Sequence, residues 1–413
     1  MPRSRSARAL NNDEAIRNAA VQLLFSKGID SISFRDVGHE AGLTHGALYA
    51  RFEDVEELLI DLWVSVLRER AIAMFTAASN AASNPTHANV HVVVETIREA
   101  TTVDAVTVQV LLASRRFPIL QEEVENFIRD FLETSSDVSD AVQSRALVTF
   151  ALVTAVILSN SQFGPDFECL DFLESILRES LAVAVTDVAP VPVHEPSDRM
   201  IAPPKPDLRS QLTFHTFSAI GRSGYMRATI SRISRRANCS PGSIYKIYPS
   251  KEDLTIASVR AVMQTPGIAL SHFNDILEEG ALAQLLYSSA SAQNDVRKSF
   301  ILEVAMASAY SEKLRWAVQK QLRELESIVP LISGLDEKES AQLGCMMRSL
   351  ILLTLGVGFL STVTKATDQV DFNQFAEPLR RALVHQAVPR WSEIQQQLTG
   401  FAHQVRTSAR SNV

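Results

Sequence analysis

Residues 33–52 read SFRDVGHEAGLTHGALYARF, and the punctuation of this stretch decides the fold. Ser33 is a hydroxyl cap ahead of a short helix to Ala41, with Phe34, Val37 and Ala41 at helical spacing on its inner face. Gly42 ends that helix, Leu43 turns inward, and Thr44 caps a second short helix through Ala47, Leu48 and Tyr49. Phe52 then closes the core. Two short helices around a tight turn make a helix-turn-helix, the unit that lays its second helix in the major groove of DNA.

The pattern returns at residues 229–248, TISRISRRANCSPGSIYKIY. An offset of 196 aligns the two without gaps: Gly28, Ala41, Gly46, Tyr49, Glu56 and Leu58 meet Gly224, Ala237, Gly242, Tyr245, Glu252 and Leu254. Apolar positions match between them, Leu24 with Ile220, Val37 with Ile233, Leu48 with Ile244 and Phe52 with Tyr248. At the turn Asn238 replaces Gly42 and tolerates the same left-handed backbone; Cys239 points inward, Ser240 caps, and Pro241 takes the first helical position. Further on the register shifts by two, pairing Ala113, Ser114, Leu120 and Val124 with Ala307, Ser308, Leu314 and Val318, so the parts after the motifs read as duplicated too.

Between the halves, Pro190, Pro192, Pro196, Pro203, Pro204 and Pro206 forbid helix and favour an extended linker. The expected divisions are a first head 1–54, an all-α domain 55–187, a linker 188–207, a second head 208–250 and a second all-α domain 251–413. Composition agrees: 413 residues, 46% apolar and 21% charged, suit a folded multidomain protein, and scarce glycine with little strand-like alternation predicts an all-α chain. Cys169, Cys239 and Cys345 stand far apart with no CxxC spacing, so neither a zinc site nor a disulfide framework is expected, which suits a reducing cytoplasm. The basic N-terminus lacks a signal peptide's apolar run, and the most apolar stretches, Ala146 to Leu158 and Leu350 to Leu360, are shorter than the roughly 18 to 20 residues of a membrane span. No membrane partner is expected.

The run from Ser33 to Phe52, with Ala20 and Gly28 before it and Glu56, Glu57 and Leu58 after it, resembles the DNA-binding domain of TetR-family transcriptional repressors. The second copy resembles it too, through Gly224, Thr229, Ile233, Ala237, Ser240, Pro241, Gly242, Ser243, Ile244, Tyr245 and Tyr248. The resemblance implies that each head is followed by an all-α regulatory and dimerisation domain. It also implies a double-stranded DNA operator as partner, contacted by Ser33, Arg35, Thr44, His45, Ala47 and Tyr49 in copy one and by Thr229, Ser231, Ser240, Pro241, Ser243, Tyr245 and Lys246 in copy two. The family's phosphate-binding lysine at the start of the fourth helix is kept as Lys251, whereas copy one has Val55 there; Arg51 is a candidate to restore that contact. Family members dimerise through two late helices. The corresponding runs, Ala146 to Asn160 with Glu168 to Leu181 and Ser349 to Thr362 with Phe372 to His385, predict an intramolecular pseudo-dimer, with further homodimerisation left open.

The formal charge of -7 argues against a nucleic-acid binder taken as a whole, so the basic surface must be local. Residues 1–58 hold seven basic and nine acidic groups, a net of -2; residues 205–254 hold nine and three, a net of +6. Plainer readings stand beside the sharp ones. Tyr49 and Tyr245 can be structural aromatics, and Arg232, Arg235 and Arg236 a solvated helix face. His87, His91 and Glu95 share a helix face, but no HExxH surrounds them and no metal is expected. Val106 to Leu112 and Ile301 to Met306 are candidates to line a pocket for a small apolar inducer, with core packing the safer alternative; no cofactor is expected. No phosphate loop, nucleophile elbow or carboxylate pair supports an enzyme. The rival function is an interaction module in which acidic copy one has lost DNA binding.

Overall fold

The computed structural model describes residues 7–134, 138–188, 206–263, 278–292, 295–326 and 335–387. The basic N-terminal residues 1–6 and linker residues 189–205 lie outside the described residues. Every regular element among the described residues is helical. In the first half, α1 (Ala7–Lys27), α2 (Phe34–Glu40) and α3 (His45–Tyr49) form a head. α4 (Val55–Leu62) continues through a π-helical turn at Trp63–Leu67 into α5 (Arg68–Ser83), followed by α6 (His87–Arg98), α7 (Thr102–Ala113), α8 (Pro118–Thr134), α9 (Asp140–Phe163) and α10 (Phe167–Ala182). The second half opens with α11 (Leu208–Ser223), α12 (Ile230–Arg236), α13 (Pro241–Ile247) and α14 (Lys251–Met263). It continues with α15 (Ala281–Ala290), α16 (Asp295–Ser308), α17 (Glu312–Glu326), α18 (Glu337–Leu360) and α19 (Asn373–Ala387).

The two halves share apolar interior. One core runs from the first head through α5 to α10 and on into α15, α18 and α19, while the second head has its own core with α16 and α17. α16 serves both, since Phe300, Val304 and Ala307 face the head whereas Leu302 and Met306 face the larger core. Val106 to Leu112 is buried throughout, packed as core.

Across the seam α9 lies against α18 and α10 against α19. The helices come close because Gly356 has no side chain: a Cβ there would collide with the Ala151 carbonyl. Arg145, buried in the seam, donates from Nε to the Gln374 carbonyl at 2.8 Å and from Nη1 to the Val183 carbonyl at 2.7 Å. The Asp371 amide donates to Ser144 Oγ at 3.0 Å.

Two sequence expectations need correction. Cys169 of α10 and Cys345 of α18 form a disulfide with Cα atoms 4.9 Å apart, although they are 176 residues apart in sequence. The pairing arises because α10 and α18 are brought together by apolar packing, which no cysteine spacing reports. The apolar runs also sit in helices longer than themselves: α9 and α18 have 24 residues each, long and apolar enough to cross a membrane. Most of each apolar window, 83% and 61%, is buried inside the protein.

Candidate nucleic-acid interface

Both heads fold by the same local rules. In the first, Ser33 Oγ accepts from the Asp36 amide at 3.2 Å and Thr44 Oγ1 from the Ala47 amide at 3.3 Å, capping the first turn of each helix. The turn between them needs a left-handed residue, and Gly42 has φ +66°. In the second head Thr229 Oγ1 accepts from the Arg232 amide at 3.3 Å and Ser240 Oγ from the Ser243 amide at 3.1 Å. Asn238 takes the turn with φ +50°, the one non-glycine with positive φ among the described residues. Leu48 and Ile244 point inward at zero exposure, which turns the opposite faces of α3 and α13 to solvent.

The tyrosines lie on those outward faces, Tyr49 57% and Tyr245 53% exposed. The Tyr49 ring meets Phe34 and His45 edge-on at 5.0 and 4.7 Å, so the ring is held while the rest stays in water. Arg35, Thr44, His45, Thr229, Ser231, Ser240, Pro241 and Lys246 are exposed; Ser33, Ala47 and Ser243 are half-buried. Ser33 and Thr229 cap α2 and α12, while Thr44 and Ser240 cap α3 and α13, so the latter two hydroxyls build the reading helices as well as lining them.

Two expected phosphate contacts are placed differently. Arg51 donates from Nε to Asp13 at 2.8 Å and from Nη1 to the Ala47 carbonyl at 2.9 Å, so its guanidinium braces α1 against α3 instead of standing free in place of the missing lysine. Lys251 donates to the Tyr225 carbonyl and holds its ammonium 4.0 Å from the centre of the Tyr225 ring. Burial pushes its pKa down to about 8, against the opposing pull of Asp30 and Glu252. Motif position located both residues, but side-chain direction was set by partners on other elements.

Sequence reading missed a buried ionic cluster where the heads meet. Arg116, after α7, reaches Asp30 of the first head at 2.5 Å and Glu303 of α16 at 3.4 Å; Arg115 also pairs with Glu303. Asp30 accepts from the Met226 amide of the second head at 3.4 Å, and Glu303 from the Tyr225 amide at 3.3 Å. Gly28 and Gly224, paired in the repeat, are where these side chains pass: a Cβ on Gly28 would strike the Tyr310 ring and one on Gly224 the Arg116 guanidinium. Arg116 and Tyr310 are themselves equivalent at the second offset, so the crossing is reciprocal. His87 and His91 lie beside Glu174 of α10, at 3.6 and 3.2 Å, and among the described residues no three His, Cys, Asp or Glu are grouped to hold a metal.

Residues 16–62 and 216–257 each match the model of the family described as bacterial regulatory proteins, tetR family. No curated protein matches the chain.

Proposed function

We propose, from the premise that this chain carries two DNA-binding domains of the tetR family, that it is a sequence-specific transcriptional regulator whose single polypeptide supplies both reading heads. The observation that carries this reading is the pair of capped second helices, each presenting an exposed tyrosine, on halves joined by a packed helical seam. In such a pseudo-dimer α9, α10, α18 and α19 take the place of a two-chain interface, and one chain occupies one operator. The reading helices then address half-sites about one DNA turn apart, roughly 34 to 36 Å.

The regulatory arm of the proposal is repression relieved by a small apolar ligand. Such a ligand has to open the core, because the interior gap beside Phe75, Phe131 and Ala146 holds about 10 Å³, room for one water. Ring stacking of Phe75 on Phe131 and Phe150, at 4.2 and 4.6 Å, is what it would part, and α5 leads straight back through the π-turn to α4 and the head. A second reading, in which the first head serves as an interaction surface only, is favoured by its net charge of -2 and by the engagement of Arg51.

Selection of bound sites from a random DNA pool tests both. The expected result is a two-part site of unequal halves, occupied by one chain. A lone half-site would assign DNA reading to one head and overturn the pseudo-dimer, and absence of any enriched sequence would overturn the regulator.

A further inference from the structure

We infer that the second head carries a separate site for a compact polyphosphate, a soluble anion with two or more linked phosphate groups, in the groove between α11 and α12. The groove is open to solvent, spans about 590 Å³, has Ala219 and Ser223 among its lining, and is walled by Arg222, Arg232, Arg235 and Arg236. All four arginines are exposed. No carboxylate lines the groove, and none of the four has an acidic partner among the described residues. Arg232 donates to the Arg227 carbonyl at 3.1 Å and Arg235 to the Ser231 carbonyl at 3.3 Å, which leaves most of their five donors each unspent. Burial holds His215 of α11 below the usual imidazole range, and the charge of Arg236 adds in the same direction.

Four unpaired guanidinium groups around one concavity repel one another until an anion lies between them. Their planar forks match phosphate oxygens two at a time, and the volume falls within the range of small-molecule sites. The internal repeat supplies the control that separates this groove from ordinary duplex binding. At the offset of 196 the first head has Ser26, Asp36, His39 and Glu40 where the second has the four arginines. Capping hydroxyls and exposed tyrosines, by contrast, are common to both heads. What both half-sites need is present twice; this groove, like Lys246, is present once, so duplex reading by a head of this fold does not require it. A free anion held there cancels much of the +6 that draws the second head to DNA. The site itself stands on the groove alone; only that consequence rests on the regulator reading.

The test uses the full chain and sodium tripolyphosphate, titrated calorimetrically at constant ionic strength. The expected result is one saturable site per chain, at least about tenfold tighter than orthophosphate. Arg222→Gln with Arg236→Gln should weaken it by about tenfold or more with an unchanged melting temperature, since neither side chain packs in the core, while Lys27→Ala in the first head should change nothing. If that double variant melts early, Arg235→Gln alone, read against the same titration, replaces it. A second arm measures binding to the selected operator. Tripolyphosphate should weaken operator binding by the natural chain and not by the variant. Absence of a saturable site, or equal binding by the variant, overturns the proposal. So does a variant that loses operator affinity and salt dependence without any polyphosphate site, because the groove would then be a duplex contact. Tripolyphosphate binding by a chain that retains no DNA would instead sink the regulator reading and leave the site standing.

Discussion

At the scale of single residues, the exposed tyrosines separate a binding role from a folding role. Their rings contribute to the heads while their hydroxyls face water, so Tyr49→Phe and Tyr245→Phe should alter folding stability by less than about 0.5 kcal/mol. Loss of a hydroxyl contact to DNA should cost about 0.5 to 1.5 kcal/mol of affinity, roughly two- to twelve-fold in dissociation constant. Melting curves and fluorescence anisotropy on the selected operator read the two quantities; a lower melting temperature with unchanged affinity would make the tyrosines structural. Lys251 gives a pH test. Its folded pKa of about 8 lies below the ordinary 10.5, so between these values the unfolded chain binds more protons than the folded one. Stability contributed by this group therefore rises as pH climbs through that window and is absent below it. In Lys251→Met that rise should disappear from urea titrations run from pH 7.5 to 10, and an unaltered pH profile would show that the ammonium is not held under Tyr225.

At the scale of elements, α18 carries its own paired experiment. Gly356 sits where α9 crosses, and Gly356→Val must push the helices apart, at a cost of about 1 to 3 kcal/mol. Gly344 is in the same helix with nothing within 4 Å of its missing Cβ, so Gly344→Ala should stabilise by roughly 0.5 to 1 kcal/mol through helix propensity. Chemical denaturation of both variants checks the contrast; equal effects would mean the seam does not depend on close approach. Elements of this kind show where sequence is informative. Caps at Ser33, Thr44, Thr229 and Ser240 and the turn at Asn238 were legible because each is decided within four residues. The apolar periodicity likewise marked the seam helices. Cys169 with Cys345, and Arg116 with Asp30 and Glu303, were not legible, because each pairing depends on how whole helices are placed. Arg51 and Lys251 fall between: the motif fixed their positions, and distant partners fixed where their charges go.

At the scale of the whole molecule, the ionic cluster ties the first head, the second head and α16 into one body, so the heads are unequal in charge yet coupled in position. Arg116→Met leaves the Asp30 side chain, 6% exposed, with its ion pair gone, and should cost about 3 to 5 kcal/mol. The charge inequality itself is tested through salt. Each phosphate neutralised contributes about -0.9 to the slope of log affinity against log salt concentration. Lys246 is exposed on the reading helix of the head with net +6, so Lys246→Ala should flatten the slope by roughly 0.9. Lys251→Ala should add less than that, because its ammonium is already committed to the Tyr225 carbonyl and ring. In the first head Arg51→Ala should leave the slope nearly unchanged, since that guanidinium is paired with Asp13. Arg35→Ala should flatten it less than Lys246→Ala, because Asp36, Glu53 and Asp54 oppose phosphates in the same head. An operator matched to such a protein has two different half-sites, the one under the second head tolerating more substitution because its attachment is more electrostatic. If the Arg35 and Arg51 pair flattens the slope as much as the Lys246 and Lys251 pair, on a symmetric site, the heads are equivalent and the charge asymmetry plays no part in attachment to DNA.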